Sequence, residues 1–338
     1  MRVTVTGAAG RLGKYIVAEL ARAGHEVRAV DVDRPAPGAA AMGTATAGVA
    51  ALQADLTDAG QVYNALAGSD AVIHMGAIAD TGLTTEPKTF NDNTAMTFNV
   101  LQAAADLGIR RVVSASSNQA HGLAGAPPVY VPIDDSHPAR PVNEYALSKV
   151  LGEGIADFFV EQRGLQILSF RILNTQTPET IPGAIAAMAA DPASGKGVVW
   201  TVTDARDVAR ACRLAVEVPT VESGEAFTAP LSAAPFPSRV LPLAFHPSRL
   251  LPSHGAPCVG AGVYYIAGPT VALPNIGAAA LVAEHYASNT EVRGELGTAL
   301  TNCERARRVL GWEAEYGWTT ETQHPEEPEV AAPAEARL

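Results

Sequence analysis

The run Val3-Thr4-Val5-Thr6, followed at once by Gly7-Ala8-Ala9-Gly10-Arg11-Leu12-Gly13, constrains this chain more than any other stretch. β-Branched residues suit an extended strand, and the glycines allow a tight turn. Apolar residues then recur at Ile16, Val17 and Leu20, the spacing of one helix face, until Gly24. Glu26-Val27-Arg28-Ala29-Val30-Asp31 reads as a second strand that ends in a carboxylate. Strand, turn, helix and strand make a βαβ unit, which commits the chain to a parallel sheet.

Such a turn lets backbone N–H groups at the helix start approach a pyrophosphate. An acid at the end of the next strand can accept hydrogen bonds from an adenosine ribose. Asp31, 18 residues past Gly13, stands where that acid is needed. Gly7, Ala9, Gly10, Arg11, Leu12, Gly13 and Asp31 are therefore candidate cofactor-binding residues. The competing reading is an ordinary glycine turn with a solvent-exposed aspartate; the unbroken order of the parts favours a dinucleotide. Asp31 would repel a 2′-phosphate, so NAD is expected rather than NADP, with Arg11 and Arg34 the nearby cations.

The alternation continues. Strands are expected at Val49–Ala54, Ala71–His74, Arg111–Ser117 and Leu165–Arg171, and helices over 88–107, from Tyr145 to Gln162, and over Asp204–Val216 with Thr203 or Asp204 as its cap. This is the pattern of a Rossmann-type, doubly wound parallel sheet of the α/β class. The expected layout is a nucleotide-binding domain over 1–175, to which 203–220 returns. A smaller C-terminal substrate lobe then comprises 176–202 and 221–318. His74, at a strand end, reads as a structural hydrogen-bonding residue. Ligands of open parallel sheets sit beyond the carboxyl ends of the strands, which brings Ser116 and Ser117 to the substrate side.

Tyr145 and Lys149 are four residues apart and share one helix face. A tyrosine hydroxyl titrates near pH 10, and a neighbouring ammonium favours the phenolate. The pair reads as a general base tuned toward neutral pH.

Composition narrows the partners. The 338 residues are 47% hydrophobic and 17% charged, with a formal net charge of −11. A strongly acidic chain is a poor match for nucleic acid or an anionic membrane. No run approaches a membrane span, and the N-terminus has no long apolar leader segment. Cys212, Cys258 and Cys303 are scattered, without metal or redox spacing, as suits a reducing, cytoplasmic setting. No metal site is expected.

Residues 229–262 carry seven prolines and a short repeat, Phe236-Pro-Ser-Arg-Val-Leu-Pro242 and His246-Pro-Ser-Arg-Leu-Leu-Pro252. Prolines at that density exclude a helix or central strand. The stretch reads as a surface insert, with a lid over the pocket the sharper alternative. Residues 275–287 and 302–310 read as helices, and 319–338 as a disordered acidic tail.

Taken together, the residues resemble the extended short-chain dehydrogenase/reductase superfamily, and within it the NAD-dependent epimerase/dehydratase family. The resemblance rests on Thr6 to Gly13, Asp55-Leu56, His74-Met75-Gly76-Ala77, Asn93 with Thr97 and Asn99, Ser116-Ser117, Tyr145/Lys149, Arg171 with Asn174, and Leu310-Gly311-Trp312. It covers about residues 1–228 and resumes weakly over 263–318. It implies that Tyr145 takes the proton from a substrate hydroxyl and that Lys149 holds the nicotinamide ribose and lowers the Tyr145 pKa. It also implies that Ser117 binds the reacting oxygen, Asn93 supports the polar network, and Asp55 and Leu56 flank the adenine. Asn118 and Asn174, with Ser116 and Ser117, fall on the substrate side. Many members of the superfamily pair through the two helices after the fourth and fifth strands, and the apolar faces of 88–107 and 145–162 permit such a homodimer.

Departures from the family pattern narrow the reaction. Sugar-nucleotide dehydratases carry an Asp-Glu pair right after the catalytic Ser/Thr; here Asn118 and Gln119 stand there, amides unable to act as general acids. The usual Tyr-Gly is His121-Gly122, with His121 expected to be a neutral surface residue. Thr175-Gln176-Thr177-Pro178-Glu179, together with Ser116-Ser117-Asn118, looks more like the uronate dehydrogenase branch. The leading expectation is an NAD-dependent oxidoreductase acting on a secondary hydroxyl of a sugar or sugar acid. A nucleotide-sugar epimerase is the alternative, and a non-catalytic NAD-binding sensor a third reading.

Overall fold

A computed structural model describes residues 1–33, 49–219, 262–273, 275–286 and 289–318. The chain begins with β1 (Arg2–Thr6), α1 (Arg11–Arg22), β2 (Glu26–Asp31), β3 (Val49–Gln53), α2 (Ala59–Leu66), β4 (Ala71–His74), α3 (Glu86–Asp106) and β5 (Arg111–Ser117). There follow β6 (Tyr130–Val131), α4 (Glu144–Arg163), β7 (Gln166–Ile172), β8 (Thr175–Gln176), α5 (Ile181–Ala190), β9 (Thr203–Asp204) and α6 (Ala205–Glu217). The last described elements are β10 (Gly262–Ile266), α7 (Ala278–His285), β11 (Glu291–Val292) and α8 (Glu304–Leu310).

Seven strands form one sheet in the order β10-β7-β5-β4-β1-β2-β3, and every pair in it is parallel. Helices α1 and α6 pack together on one face, and α2, α3 and α4 on the other. Burial on both faces explains why β4 reads Ala-Val-Ile-His without a polar alternation. The strand order reverses between β1 and β4, which opens a crevice beyond their carboxyl ends.

A second core, built around Leu173, Ile181, Trp200, Tyr265, Leu281 and Leu300, sits beside that crevice. It is the smaller lobe, and its backbone is unusual. Asn174, Val199 and Trp200 adopt positive φ values of 36°, 43° and 52°, in the region that disfavours branched and bulky residues. Asn174 Nδ2 donates to the Thr201 carbonyl at 2.9 Å and the Trp200 indole to the Pro192 carbonyl at 2.6 Å, which fixes this wall.

Two segments assigned by sequence to the smaller lobe lie elsewhere. Gly262–Ile266 is the edge strand of the main sheet, in register with Leu168–Ile172. Leu310 and Trp312 belong to the core between the sheet and α1/α6. The Trp312 indole donates to the Asp207 carbonyl at 2.9 Å, and the Asp207 carboxylate accepts the Glu315 and Tyr316 N–H groups at 2.8 and 3.1 Å. The reason is the open edge of β7, whose backbone groups need partners; an apolar Val-Tyr-Tyr-Ile strand supplies them. The proline-rich insert and the acidic tail lie outside the described residues, as does Arg34.

The solvent side of the α3/α4 pair exposes Phe98, Leu147, Leu151 and Phe158. No helix among the described residues is long and apolar enough to cross a membrane.

Candidate active site

The turn after β1 is built as its glycines require. Gly7 has φ +68°, and a Cβ on it would stand 2.7 Å from the Gly76 nitrogen. A Cβ on Gly13 would stand 2.1 Å from the Gly7 carbonyl oxygen, so α1 can seat this closely on the turn only with glycine there. Gly10 caps α1 without a side-chain hydrogen bond, and the first turn holds no acid. The helix N-terminus therefore keeps free N–H groups for an anion. Asp31, at the end of β2, accepts the Ala9 N–H at 2.9 Å, which fixes a carboxylate beside the turn. Leu56 is buried, and its side chain packs on Gly76. Asp55 instead turns inward on its own loop, accepting both the N–H and the hydroxyl of Thr57 at 2.9 and 2.8 Å. Asn99 donates to the Leu56 and Thr57 carbonyls at 3.0 and 3.1 Å and holds that loop on α3.

Helix α4 starts where its cap dictates: Asn143 Oδ1 accepts the Ala146 N–H at 2.7 Å, and Glu144 follows in the first turn. Gly164, left-handed at φ 66°, ends it. Tyr145 and Lys149 both point inward and are buried. Burial pushes the Tyr145 phenol up to about 12; contact with the Ser117 hydroxyl and the Arg11 charge lower it, and the Asp80 carboxylate raises it. The phenol thus lies beside Ser117 at the end of β5, within electrostatic reach of Arg11 and Asp80.

Lys149 corrects a sequence expectation. Its ammonium donates to the Ala115 carbonyl at 3.1 Å and lies 5.7 Å from the centre of the Tyr145 ring. Burial brings it down to about 8. Burial dominates both groups, so the phenol is not made acidic by its neighbour in this arrangement.

Ser117 Oγ accepts the Gln119 N–H at 3.2 Å and stays beside Tyr145. Ser116 does not join it. Successive strand residues face opposite ways, and the Ser116 hydroxyl donates to Glu153 at 2.5 Å in the interior. Asn93 holds the loop after β4 by accepting the Ile78 N–H at 2.8 Å and donating to the Ile78 carbonyl at 3.1 Å, and it reaches Ser148 at 3.2 Å. These bonds tie the loop after β4 to Ser148 of α4, three residues past Tyr145. Asn118 donates to the Gly197 carbonyl at 3.4 Å, which ties the residue after Ser117 to the wall of the smaller lobe that Asn174 also holds.

His121 is fully buried, contrary to the expectation of a surface residue; the His137 and Tyr265 rings cover it at 4.7 and 5.3 Å between centroids. Burial drives it well below the ordinary histidine range, so it is neutral as expected. His74 is buried too, hydrogen-bonded to Thr6 at 2.8 Å and brought down to about 3 by burial. Sequence reasoning missed Asp80 and Asn143, which are bridged by Gln119 at 3.3 and 3.2 Å over the mouth of the site. Nothing local to Asp80 signals its approach to Tyr145. Among the described residues no group of three or more His, Cys, Asp or Glu side chains could hold a metal ion.

A seven-stranded parallel sheet with a glycine turn, a ribose-side acid and an inward Tyr/Lys pair defines a dinucleotide-dependent enzyme of the extended short-chain dehydrogenase/reductase type. Residues 3–229 match the model of the NAD dependent epimerase/dehydratase family, and the chain belongs to that family. It is 29% identical over 255 residues to uronate dehydrogenase of Pseudomonas putida, covering 70% of this chain and 90% of the relative. It is 28% identical to an L-arabinose 1-dehydrogenase (NAD(P)(+)) of Haloferax volcanii, covering 51% and 66% of the two chains. A short-chain dehydrogenase/reductase superfamily protein from Agrobacterium tumefaciens, solved with bound NAD, shares the fold with a TM-score of 0.62 and 22% identity over 96% of this chain and 94% of that one.

Proposed function

We propose that this chain is an NAD-dependent dehydrogenase that oxidises a secondary hydroxyl of a sugar or sugar acid. The observation that carries the reading is the buried Tyr145 phenol beside Ser117 at the end of β5, with Lys149 one helical turn on and anchored to the Ala115 carbonyl. The residues suit NAD: a glycine cradle that any Cβ would fill, an uncapped helix start, and Asp31 where a ribose would lie. When bound, NAD supplies the acceptor for the hydride that leaves the substrate carbon. Tyr145 takes the hydroxyl proton, and in the reverse direction the same phenol returns it to the carbonyl oxygen. Ser117 hydrogen-bonds that oxygen and holds it against the phenol. Lys149, anchored on Ala115, lends positive charge to the site and has further N–H donors for a ribose hydroxyl. Asn118 and Gln119 offer no ionisable proton where the dehydratases carry their Asp-Glu pair, which argues against dehydration.

The relatives include UDP-glucose 4-epimerases as well as uronate and L-arabinose dehydrogenases; the uronate dehydrogenase match, which spans 90% of that relative against 52% of the epimerase, supports a free sugar acid or aldose. The same reading places the enzyme in the cytoplasm, in keeping with the free thiols of Cys212 and Cys303. It also pairs two copies through the exposed Phe98, Leu147, Leu151 and Phe158. A panel of uronates, aldoses and nucleotide sugars, read by absorbance of reduced cofactor, tests it. Accumulation of NADH with a uronate or aldose is expected. Interconversion of a nucleotide sugar with no net NADH would instead make the chain an epimerase.

A further inference from the structure

Tyr145, Lys149 and Glu153 recur at four-residue steps along α4 and form one inward stripe of that helix. The first two reach the mouth of the site. Glu153 lies one turn deeper and is buried. Its carboxylate accepts three hydrogen bonds: Ser116 Oγ at 2.5 Å, Arg171 Nε at 2.8 Å and Arg171 Nη2 at 2.7 Å. Ser116 and Arg171 are paired residues of the parallel ladder between β5 and β7, so both side chains leave the sheet on the face that α4 covers. Arg171 spends a further N–H on the His137 carbonyl at 3.0 Å. A single carboxylate thus fastens the catalytic helix to the carboxyl ends of the two strands beside the site, and it binds the residue adjacent to Ser117.

The chemistry gives this arrangement leverage. A planar guanidinium paired through two N–H groups fixes orientation as well as distance, and a displacement of about 1 Å in a reacting group can cost about 100-fold in rate. We infer that Glu153 is a positioning residue: clamped by Arg171 and Ser116, it sets the depth and rotation of α4 at which Tyr145 and Lys149 meet Ser117. Nothing in this role requires contact with substrate or cofactor. The inference rests on the dehydrogenase reading for its kinetic test, and an activity-independent readout separates the two.

Glu153→Gln keeps the volume but places an amide N–H against the guanidinium or the serine hydroxyl. The expected result is a folded protein with kcat reduced about 100-fold while the KM for substrate and the Kd for NAD stay within about twofold. Hydrogen exchange on the same sample is expected to be about tenfold faster over 143–153 and 112–119, with α1 and α6 unchanged. Ser116→Ala, which removes one neutral donor, is expected to change both readouts in the same direction by roughly tenfold or less. It decides the question if Glu153→Gln does not fold. Wild-type kcat, or wild-type exchange over 143–153, in a folded Glu153→Gln or in Ser116→Ala overturns the inference. If the wild type turns over no sugar, the dehydrogenase reading fails and exchange alone decides the role of Glu153.

Discussion

Lys149 lies 5.7 Å from the centre of the Tyr145 ring while its ammonium is hydrogen-bonded to the Ala115 carbonyl. The two residues share a helix face without sharing a proton, and each is governed by its own burial. A phenol held near 12 and an amine brought to about 8 are both protonated at neutral pH. In this state the pair is set to donate a proton to a carbonyl oxygen. To accept one from an alcohol it depends on the contacts that favour the phenolate, Ser117 and Arg11.

Tyr145→Phe removes the phenol proposed to exchange a proton with the substrate oxygen. It should lower turnover by about 100- to 10,000-fold and leave NAD affinity, measured by fluorescence titration, unchanged. Retained turnover would take Tyr145 out of the mechanism.

Asp80 raises the Tyr145 phenol, so Asp80→Asn should lower it. Below its pKa the base is available in proportion to its ionised fraction, which grows tenfold per pH unit. The rising limb of log kcat/KM for alcohol oxidation should therefore move to lower pH, and the rate at pH 7 should increase severalfold. A limb left in place would mean that Asp80 does not act on the phenol.

Asp31 holds the Ala9 N–H at the end of β2, and the proposed function assigns it the ribose. Asp31→Ala should weaken NAD binding by about 10- to 100-fold, the worth of a charge-assisted hydrogen bond, and narrow the gap between NAD and NADP. Titration of both cofactors checks it, and an unchanged preference would remove the assignment.

The glycine turn and the Tyr145/Lys149 pair were readable because both are local: one is a backbone requirement, the other a helical spacing. Asp31 was readable for the same reason, as the end of the next strand. What the sequence hid depends on partners far along the chain. Ser116 looked like a substrate residue until Glu153 and Arg171 were found beneath it. His121 looked exposed because the rings that bury it come from His137 and Tyr265. The fate of Gly262–Ile266 depended on an open sheet edge at Leu168–Ile172, across an insert whose composition carries no pairing signal. The pKa of Tyr145 was misread because spacing reveals a neighbour but not the water lost on burial.

Gly13→Ala tests the turn without touching a polar group. The added methyl would meet backbone atoms, the Gly7 carbonyl oxygen at 2.1 Å and the Ala8 Cα at 2.6 Å, which cannot swing aside as a side chain can. Helix α1 must back away, at a cost of about 1–3 kcal/mol. A lower Tm together with weakened NAD binding is expected; a wild-type Tm would mean that α1 does not seat on the turn.

Acid stability provides a separate check on the interior. Burial lowers His74 to about 3 and His137 to about 4, and drives His121 well below its ordinary value. The folded protein therefore holds these three rings neutral, while the unfolded chain protonates them below about pH 6.5. Their contribution is complete above that pH and is lost as pH falls. Asp135, Asp157 and Asp207 act in the opposite sense: burial raises each to about 6, so the folded state takes up their protons first and gains stability below that pH. Between pH 6 and 5 three histidine protons favour unfolding and three carboxylate protons favour folding. The two sets nearly cancel, so wild-type stability should change little over that interval. Urea melts at pH 7, 6 and 5 measure it, and His74→Gln, which removes one of the three histidines, should make stability rise as pH falls, by up to about tenfold in the equilibrium per pH unit. A His74→Gln protein with the same pH dependence as the wild type would show that this ring is not held neutral in the fold.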